Sequence, residues 1–245
     1  MIDPLRTEGE RLAKRVAALQ GCSRSEAERL IENGHVQVAG NVVSDPARRV
    51  LDQPVTVQAP ASQSALQTVS VLWHKPAGLA LAAEQPMSGL VPPTAELQPW
   101  HLKHLRCLTP SSADATGVAL FVQDPRLQLR LRDAAAGAEQ EWLLDVAGTV
   151  TPAQLEELRA RAELLAWRQP TLPQLKLSVG SQNEAQTRLR LALKHGQAER
   201  IGAWLQACGL GADRLLRQHR SRIGRLALGH LAPGEWRLLA AQERL

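Results

Sequence analysis

The sequence predicts an α+β fold in two parts. A small unit of two helices and a β-hairpin is expected over residues 1–60, and a larger domain on a mixed, largely antiparallel sheet over 68–245. Apolar residues recurring at helical spacing, then a glycine-punctuated alternating stretch, mark the first unit. A run of Ala, Ser, Gln and Pro, APASQSALQ at 59–67, marks the boundary, with the linker expected at 61–67. Beyond it, strands and helices interleave, and the hairpin-like spacings favour a mixed sheet over a doubly wound one.

In RLAKRVAALQ, Leu12, Val16 and Leu19 fall at helical spacing, with Arg11, Lys14 and Arg15 on other faces. Ser23 to Glu26 is a capping-box pattern that opens a second helix through Ile31, and Asn33-Gly34 ends it. HVQVAGNVVSD alternates and breaks at Gly40-Asn41, a hairpin signal, and VTVQ closes the unit. After the linker, VSVLWHKPAG reads as a strand ending in a turn, EQPMSGLVPP as loop, VALFVQD as a strand and PRLQLRLRDAA as a helix. EQEWLLDVAG is a strand, and TPAQLEELRARAELL a helix capped by Thr151. LPQLKLSVG and TRLRLALKHG are strands, ERIGAWLQACG a short helix, and SRIGRLALGHL with GEWRLL the closing strands.

No apolar run approaches the roughly 18 residues of a membrane span, so no membrane partner is expected. The start, MIDPLRTEGERLAKR, lacks the apolar stretch of a secretory signal. Cys22, Cys107 and Cys208 are widely spaced and odd in number, which fits a reducing cytoplasm. His101 and His104 could ligate a metal at helical spacing but lack a third ligand, and the glycines form no phosphate-binding fingerprint, so neither metal nor cofactor is expected. A monomer is expected. The net charge of +5 leans toward a polyanionic partner, and DRLLRQHRSRIGR, residues 213–225, holds five arginines against one acid. Within it, Arg217, Arg220 and Arg222 are either RNA contacts or charges guarding a strand edge.

The stretch RLAKRVAALQGCSRSEAERLIENGHVQVAG resembles the S4 RNA-binding domain, because helix, cap, turn and strand signals occur together in the string C-S-R-x-E-A-x-x-L-I-E-x-G-x-V-x-V-x-G. The resemblance implies that Arg11, Lys14, Arg15, Arg24 and Arg29 track the phosphates of structured RNA, plausibly ribosomal. The bland alternative is a solvated charged face, since acids roughly balance bases there.

The remainder resembles the S4-containing ribosomal RNA pseudouridine synthases. WHKPAG corresponds to the family's N-K-P-x-G strand end, EQEWLLDVAG to E-K-E-Y-L-V-x-V-x-G, and RSRIGRLALGHLAPGEWRLL to the family's closing motif. The family's catalytic motif, G-R-L-D-x-D-[ST]-x-G-L-L-L, falls on TPSSADATGVAL. In that register Ser112 stands at the catalytic aspartate and Asp114 at the second, non-catalytic acid. A serine hydroxyl is neutral near neutral pH, whereas an ionised carboxylate can act as nucleophile or base toward uridine. The family's arginine that pairs with this aspartate falls on Glu199 in GQAERIGAWL. The base-stacking tyrosine corresponds to Trp142, which either stacks on a nucleotide or fills an emptied cleft. Lys75 either contacts RNA or ends the strand before Pro76. The resemblance thus implies an RNA-binding member that has lost the isomerisation. The alternatives are an active synthase with a rearranged site, and a protein-docking factor in ribosome assembly.

Overall fold

The computed structural model describes residues 9–58, 68–166, 173–195, 197–240 and 243. The expected linker at 61–67 lies outside these residues. The chain divides into two units: residues 1–68 with 88–104, and residues 69–87 with 105–245.

The first unit runs β1 (Glu10–Arg11), α1 (Leu12–Gln20), α2 (Arg24–Glu32), β2 (Val36–Val38), β3 (Asn41–Val42), β4 (Arg49–Val50), β5 (Val55–Val57) and α3 (Pro99–His104). Helix α1 buries Leu12, Ala13 and Val16, and α2 buries Ala27, Leu30 and Ile31, the i, i+3, i+4 pattern of one buried stripe. Leu19, expected on the α1 stripe, is exposed in the last turn of that helix. The helix stops at Gly21, whose φ of 60° is the left-handed conformation that glycine tolerates at a C-terminus. The α2 cap is reciprocal: Glu26 N donates to Ser23 Oγ and Ser23 N donates to the Glu26 carboxylate at 2.8 Å. Strands β3, β2 and β5 form an antiparallel sheet, and β1 pairs with β4.

Helix α3 was not expected, and its segment, 88–104, groups with the first unit although the sequence leaves it inside the second domain. Its docking explains why. Trp100 N donates to Asn33 Oδ1 at 2.9 Å, Arg29 lies 4.5 Å over the Trp100 ring, and Glu32 takes both Lys103 and His104. His101 is buried and its Nδ1 accepts from Gln98 N. His101 and His104, at helical spacing for a metal pair, are both engaged with protein groups.

The second unit holds β6 (Ser70–Lys75), β7 (Arg106–Cys107), β8 (Ala115–Val122), α4 (Pro125–Gly137), β9 (Gln140–Ala147), α5 (Pro152–Ala160), β10 (Gln174–Gln182), β11 (Gln186–Lys194), α6 (Ile201–Ala207), β12 (Leu215–Ile223), β13 (Leu226–Ala227) and β14 (Trp236–Leu238). The described strands order as β10-β11-β9-β12-β8-β6-β14, with β13 beside β12 and β7 beside β8. The sheet is mixed: β12 and β8 run parallel, while β6 and β8, β9 and β11, and β10 and β11 are antiparallel. Sequence alternation places the last long strand at SRIGRLALGHL, but β12 ends at Ile223, where Gly224 at φ 54° turns the chain into β13. The difference arises because β12 is polar in composition yet buries Gln218, His219 and Arg220.

One sheet face packs Trp142, Leu144, Val146, Leu189 and Leu191 against Ile201, Trp204 and Leu205 of α6. At the other end, the opposite face packs Leu72, Val118, Leu120 and Ile223 with α4 residues Leu127 and Leu131. Gly117 permits the central parallel pairing. It lies opposite Arg220 with φ 107°, and a Cβ there would sit 2.1 Å from the Arg220 carbonyl oxygen.

Candidate functional site

The loop between β7 and β8 is held along its length. Ser111 exchanges two main-chain hydrogen bonds with Leu81, at 2.9 and 3.0 Å, and Thr109 Oγ1 accepts from Leu120 N at 2.9 Å. Ser112 is half-buried, and its carbonyl accepts from Ala115 N at 3.3 Å. Asp114, at the tip of the turn, is exposed.

Two buried cations bind this loop through its carbonyl groups. Lys75, at the end of β6, directs Nζ to the carbonyls of Pro76 at 3.1 Å, Ala113 at 3.4 Å and Ala115. Burial, followed by repulsion from Arg220, pushes its ammonium down to about 8, while Asp114 opposes the shift. Of the alternatives for Lys75, the described conformation realises the turn cap. Arg220 donates Nε to Val118 O at 2.7 Å and Nη2 to Thr109 O at 2.7 Å. Its Nη1 reaches Pro110 O and Gln140 Oε1 at 3.4 Å. Burial pushes the guanidinium down to about 10. Arg220, expected as an RNA contact, is thus turned inward and bonded to the loop and sheet.

Trp142 faces Arg220 across the β9–β12 register, with the guanidinium carbon 5.0 Å from its ring. Its ring is fully buried in the core, and its indole N–H has no hydrogen-bond partner among the described residues. The ring is enclosed by the core and by Arg220. Glu199 is exposed on the short 3-10 turn Ala198–Arg200, close enough for its charge to act on Cys107 and Arg220. Cys107 is buried, and desolvation pushes its thiol up to about 11, leaving it protonated and inert as a nucleophile. The arrangement brings Lys75, Arg220, Trp142, Glu199 and the Ser112 loop into one neighbourhood. The two buried charges in it, Lys75 and Arg220, are cationic and spent on carbonyls.

The far face of the same strands carries other sequence-predicted residues. Arg222 bonds Glu139 at 2.9 Å and Glu141 at 3.2 Å, and Arg217 is exposed. His219 Nδ1 lies 2.9 Å from Thr116 Oγ1 and its ring 5.7 Å from that of His74. Burial, then Arg217 and His74, push His219 down to about 4, so it is neutral at physiological pH.

In the first unit, Arg11 and Lys14 are exposed. Arg15 is committed to Glu10 and to the Leu51 carbonyl at 2.6 Å, Arg24 pairs with Glu28 at 3.1 Å, and Arg29 covers Trp100. The five basic residues expected to track phosphates therefore divide between outward charges and structural ones. Sequence reading missed Arg48 and Arg49. Arg48 is exposed, and Arg49 stands directly opposite Arg11 in the β1–β4 pair. Arg49 Nη1 donates to Gly9 O at 2.9 Å, which fixes its guanidinium beside this pair. No periodicity could have revealed this pair, because each strand is two residues long.

An S4 domain model matches residues 10–53. Over 236 residues the chain is 25% identical to ribosomal small subunit pseudouridine synthase A of Vibrio parahaemolyticus, covering 95% of this chain and 97% of that one. It is 27% identical over 238 residues to a protein of Mycobacterium bovis named as an uncharacterized RNA pseudouridine synthase, covering 96% and 91%. Over nearly its whole length the chain is thus similar to proteins named as RNA pseudouridine synthases, with an S4 domain match in its first unit. A solved pseudouridylate synthase shares the fold, with a TM-score of 0.54 at 20% identity, covering 94% of this chain and 96% of that chain. The S4 match precedes the mixed-sheet domain in the chain. Among the described residues, no helix is long and apolar enough to cross a membrane.

Proposed function

We propose that this chain binds structured ribosomal RNA through its S4 domain and does not convert uridine to pseudouridine. The observation that carries the reading is the loop at 109–115. Ser112 occupies the position that the resemblance assigns to the catalytic aspartate, and the surrounding cations, Lys75 and Arg220, are bonded to main-chain carbonyls. Isomerisation needs a carboxylate held charged beside the uridine, and proximity is worth much of the barrier only when the group is already in place. Asp114 stands two residues on, at the exposed tip of the turn, displaced from the Ser112 position that catalysis would need. Glu199, where the pairing arginine would stand, would repel a carboxylate rather than hold it charged. The buried Trp142 ring leaves no stacking face for the extruded base.

RNA binding rests on the S4 match and on the outward charges of Arg11, Lys14 and Arg48. Two assays test the two halves. Purified protein incubated with ribosomal RNA labelled with tritium at uridine carbon 5 is expected to release no tritium above background, and sustained release would overturn the loss of activity. Filter binding of the same RNA across a salt series is expected to show affinity falling steeply with salt. Absent or salt-indifferent binding would favour the protein-docking alternative.

A further inference from the structure

We infer that the sheet face formed by β10, β11, β9 and β12, on the side opposite Trp142 and the Ser112 loop, is a second RNA-backbone surface, made by Lys176, Arg188, Arg190, Arg217 and Arg222. The inference rests on the RNA-binding reading and extends it to a surface within the second unit alone.

The pleat defines the face. Along β9, Trp142, Leu144 and Val146 are buried on one side, so Glu141, Leu143 and Asp145 project to the other. The register sets Arg188 opposite Asp145, Arg217 opposite Asp145 from the other flank, and Arg222 opposite Glu141. In β11, Leu189, Leu191 and Leu193 point to the core, leaving Arg188 and Arg190 outward at two-residue spacing. Lys176 in β10 lies opposite Ala192, between the same two outward rows. Helix α6 packs against the opposite side, and α4 lies with Leu72, Val118 and Leu120 of β6 and β8, beyond β9, β10 and β11.

The charges are layered. The side chains of Asp145, Glu141 and Glu139 are only 8%, 23% and 26% exposed, whereas those of Arg190 and Lys176 are 60% and 85% exposed. Each acid is tied down beneath a cation: Asp145 to Arg188 at 2.6 Å, Glu141 to Arg190 at 3.1 Å and to Arg222 at 3.2 Å, Glu139 to Arg222 at 2.9 Å. The acids hold the guanidinium groups upright on the sheet, and the outer layer is positive. Five cations stand over three acids, so the face keeps a net positive charge. A flat, strand-mounted array of arginines with fixed geometry suits the regularly spaced phosphates of a nucleic-acid backbone and carries no pocket for a base. That favours RNA over an acidic peptide, whose carboxylates have no comparable fixed spacing.

The test uses the full chain carrying K176Q, R190Q and R217Q together, which leaves Asp145 its Arg188 and Glu141 its Arg222. The comparison is a chain with R11Q, K14Q and R48Q in the S4 domain. Binding of a ribosomal RNA fragment is measured by filter retention from 50 to 300 mM salt, with melting curves confirming that both variants remain folded. The sheet variant is expected to lose about five- to twentyfold in affinity and to show a log–log salt slope shallower by about two to three, one per lost phosphate contact. If the sheet variant matches the wild type while the S4 variant loses binding, the second surface is overturned and the RNA-binding reading stands. If the wild type itself retains no RNA, both fail. Unchanged RNA affinity with a lost, salt-sensitive association with poly-glutamate would overturn the assignment in favour of an acidic protein.

Discussion

Replacing Arg220 with methionine separates a structural role from an RNA contact. The guanidinium makes two short hydrogen bonds, to Val118 O and Thr109 O, both 2.7 Å, from a fully buried position. Methionine fills much of the same volume but donates nothing, so both carbonyls lose a charge-assisted donor. An unsatisfied buried acceptor costs about 1–3 kcal/mol. Burying a guanidinium is itself expensive, which returns part of the loss when the charge is removed. The net destabilisation is expected to be about 2–4 kcal/mol. For a chain of this size each kcal/mol moves the midpoint by roughly 2–4 °C, so Tm should fall by about 5–12 °C. Urea denaturation followed by tryptophan fluorescence reports directly, because Trp142 lies 5.0 Å from the group removed. RNA affinity should change little in the protein that stays folded. A destabilisation below about 1 kcal/mol combined with a clear loss of RNA affinity would refute the reasoning and return Arg220 to the RNA-facing side.

Three further outcomes are expected. Restoring the carboxylate with S112D should leave tritium release at background, because Trp142 remains enclosed and Glu199 opposes the new charge; turnover in this variant would show that the rest of the site is competent. His219 has its folded pKa depressed to about 4 from an ordinary 6.5, so its contribution is present above about pH 6.5 and is lost as pH falls toward 4, amounting to about 2–3 kcal/mol. The variant H219N should flatten that part of the stability–pH profile, and an unchanged acid limb in urea titrations would contradict the assignment. S23A removes the side-chain acceptor of the α2 capping box and should cost about 0.5–2 kcal/mol by chemical denaturation, with RNA binding retained below the new midpoint.

Much of the architecture was legible because it depends on local rules. The capping box at Ser23 and Glu26 and the cap at Thr151 act over three residues, and the structure realises both. The alternation in TRLRLALK separates core leucines from outward arginines within one strand. Where the chemistry is non-local, the sequence was silent or ambiguous. Helix α3 owes its environment to Arg29, Glu32 and Asn33, about seventy residues away in the chain, so no local pattern could place it. Strand β12 carries charged and polar side chains that alternation reads as exposed, and their burial depends on carbonyls supplied by the loop before β8.

By itself the sequence determined the order of the two parts, most helices other than α3, most of the principal strands, and the residue types at two positions: Ser112 without a carboxylate, Glu199 without a guanidinium. Those are matters of covalent identity and short-range periodicity. Only the tertiary structure decided which cations face inward and which face solvent. Lys75 and Arg220 turn to main-chain oxygens because strand pairing brings those oxygens within reach, while Arg188 and Arg190 stand outward because their leucine neighbours take the core. A basic residue reads the same in the sequence in either situation. Its partner, fixed by strand register across a hundred residues, is what makes it a strap or a contact.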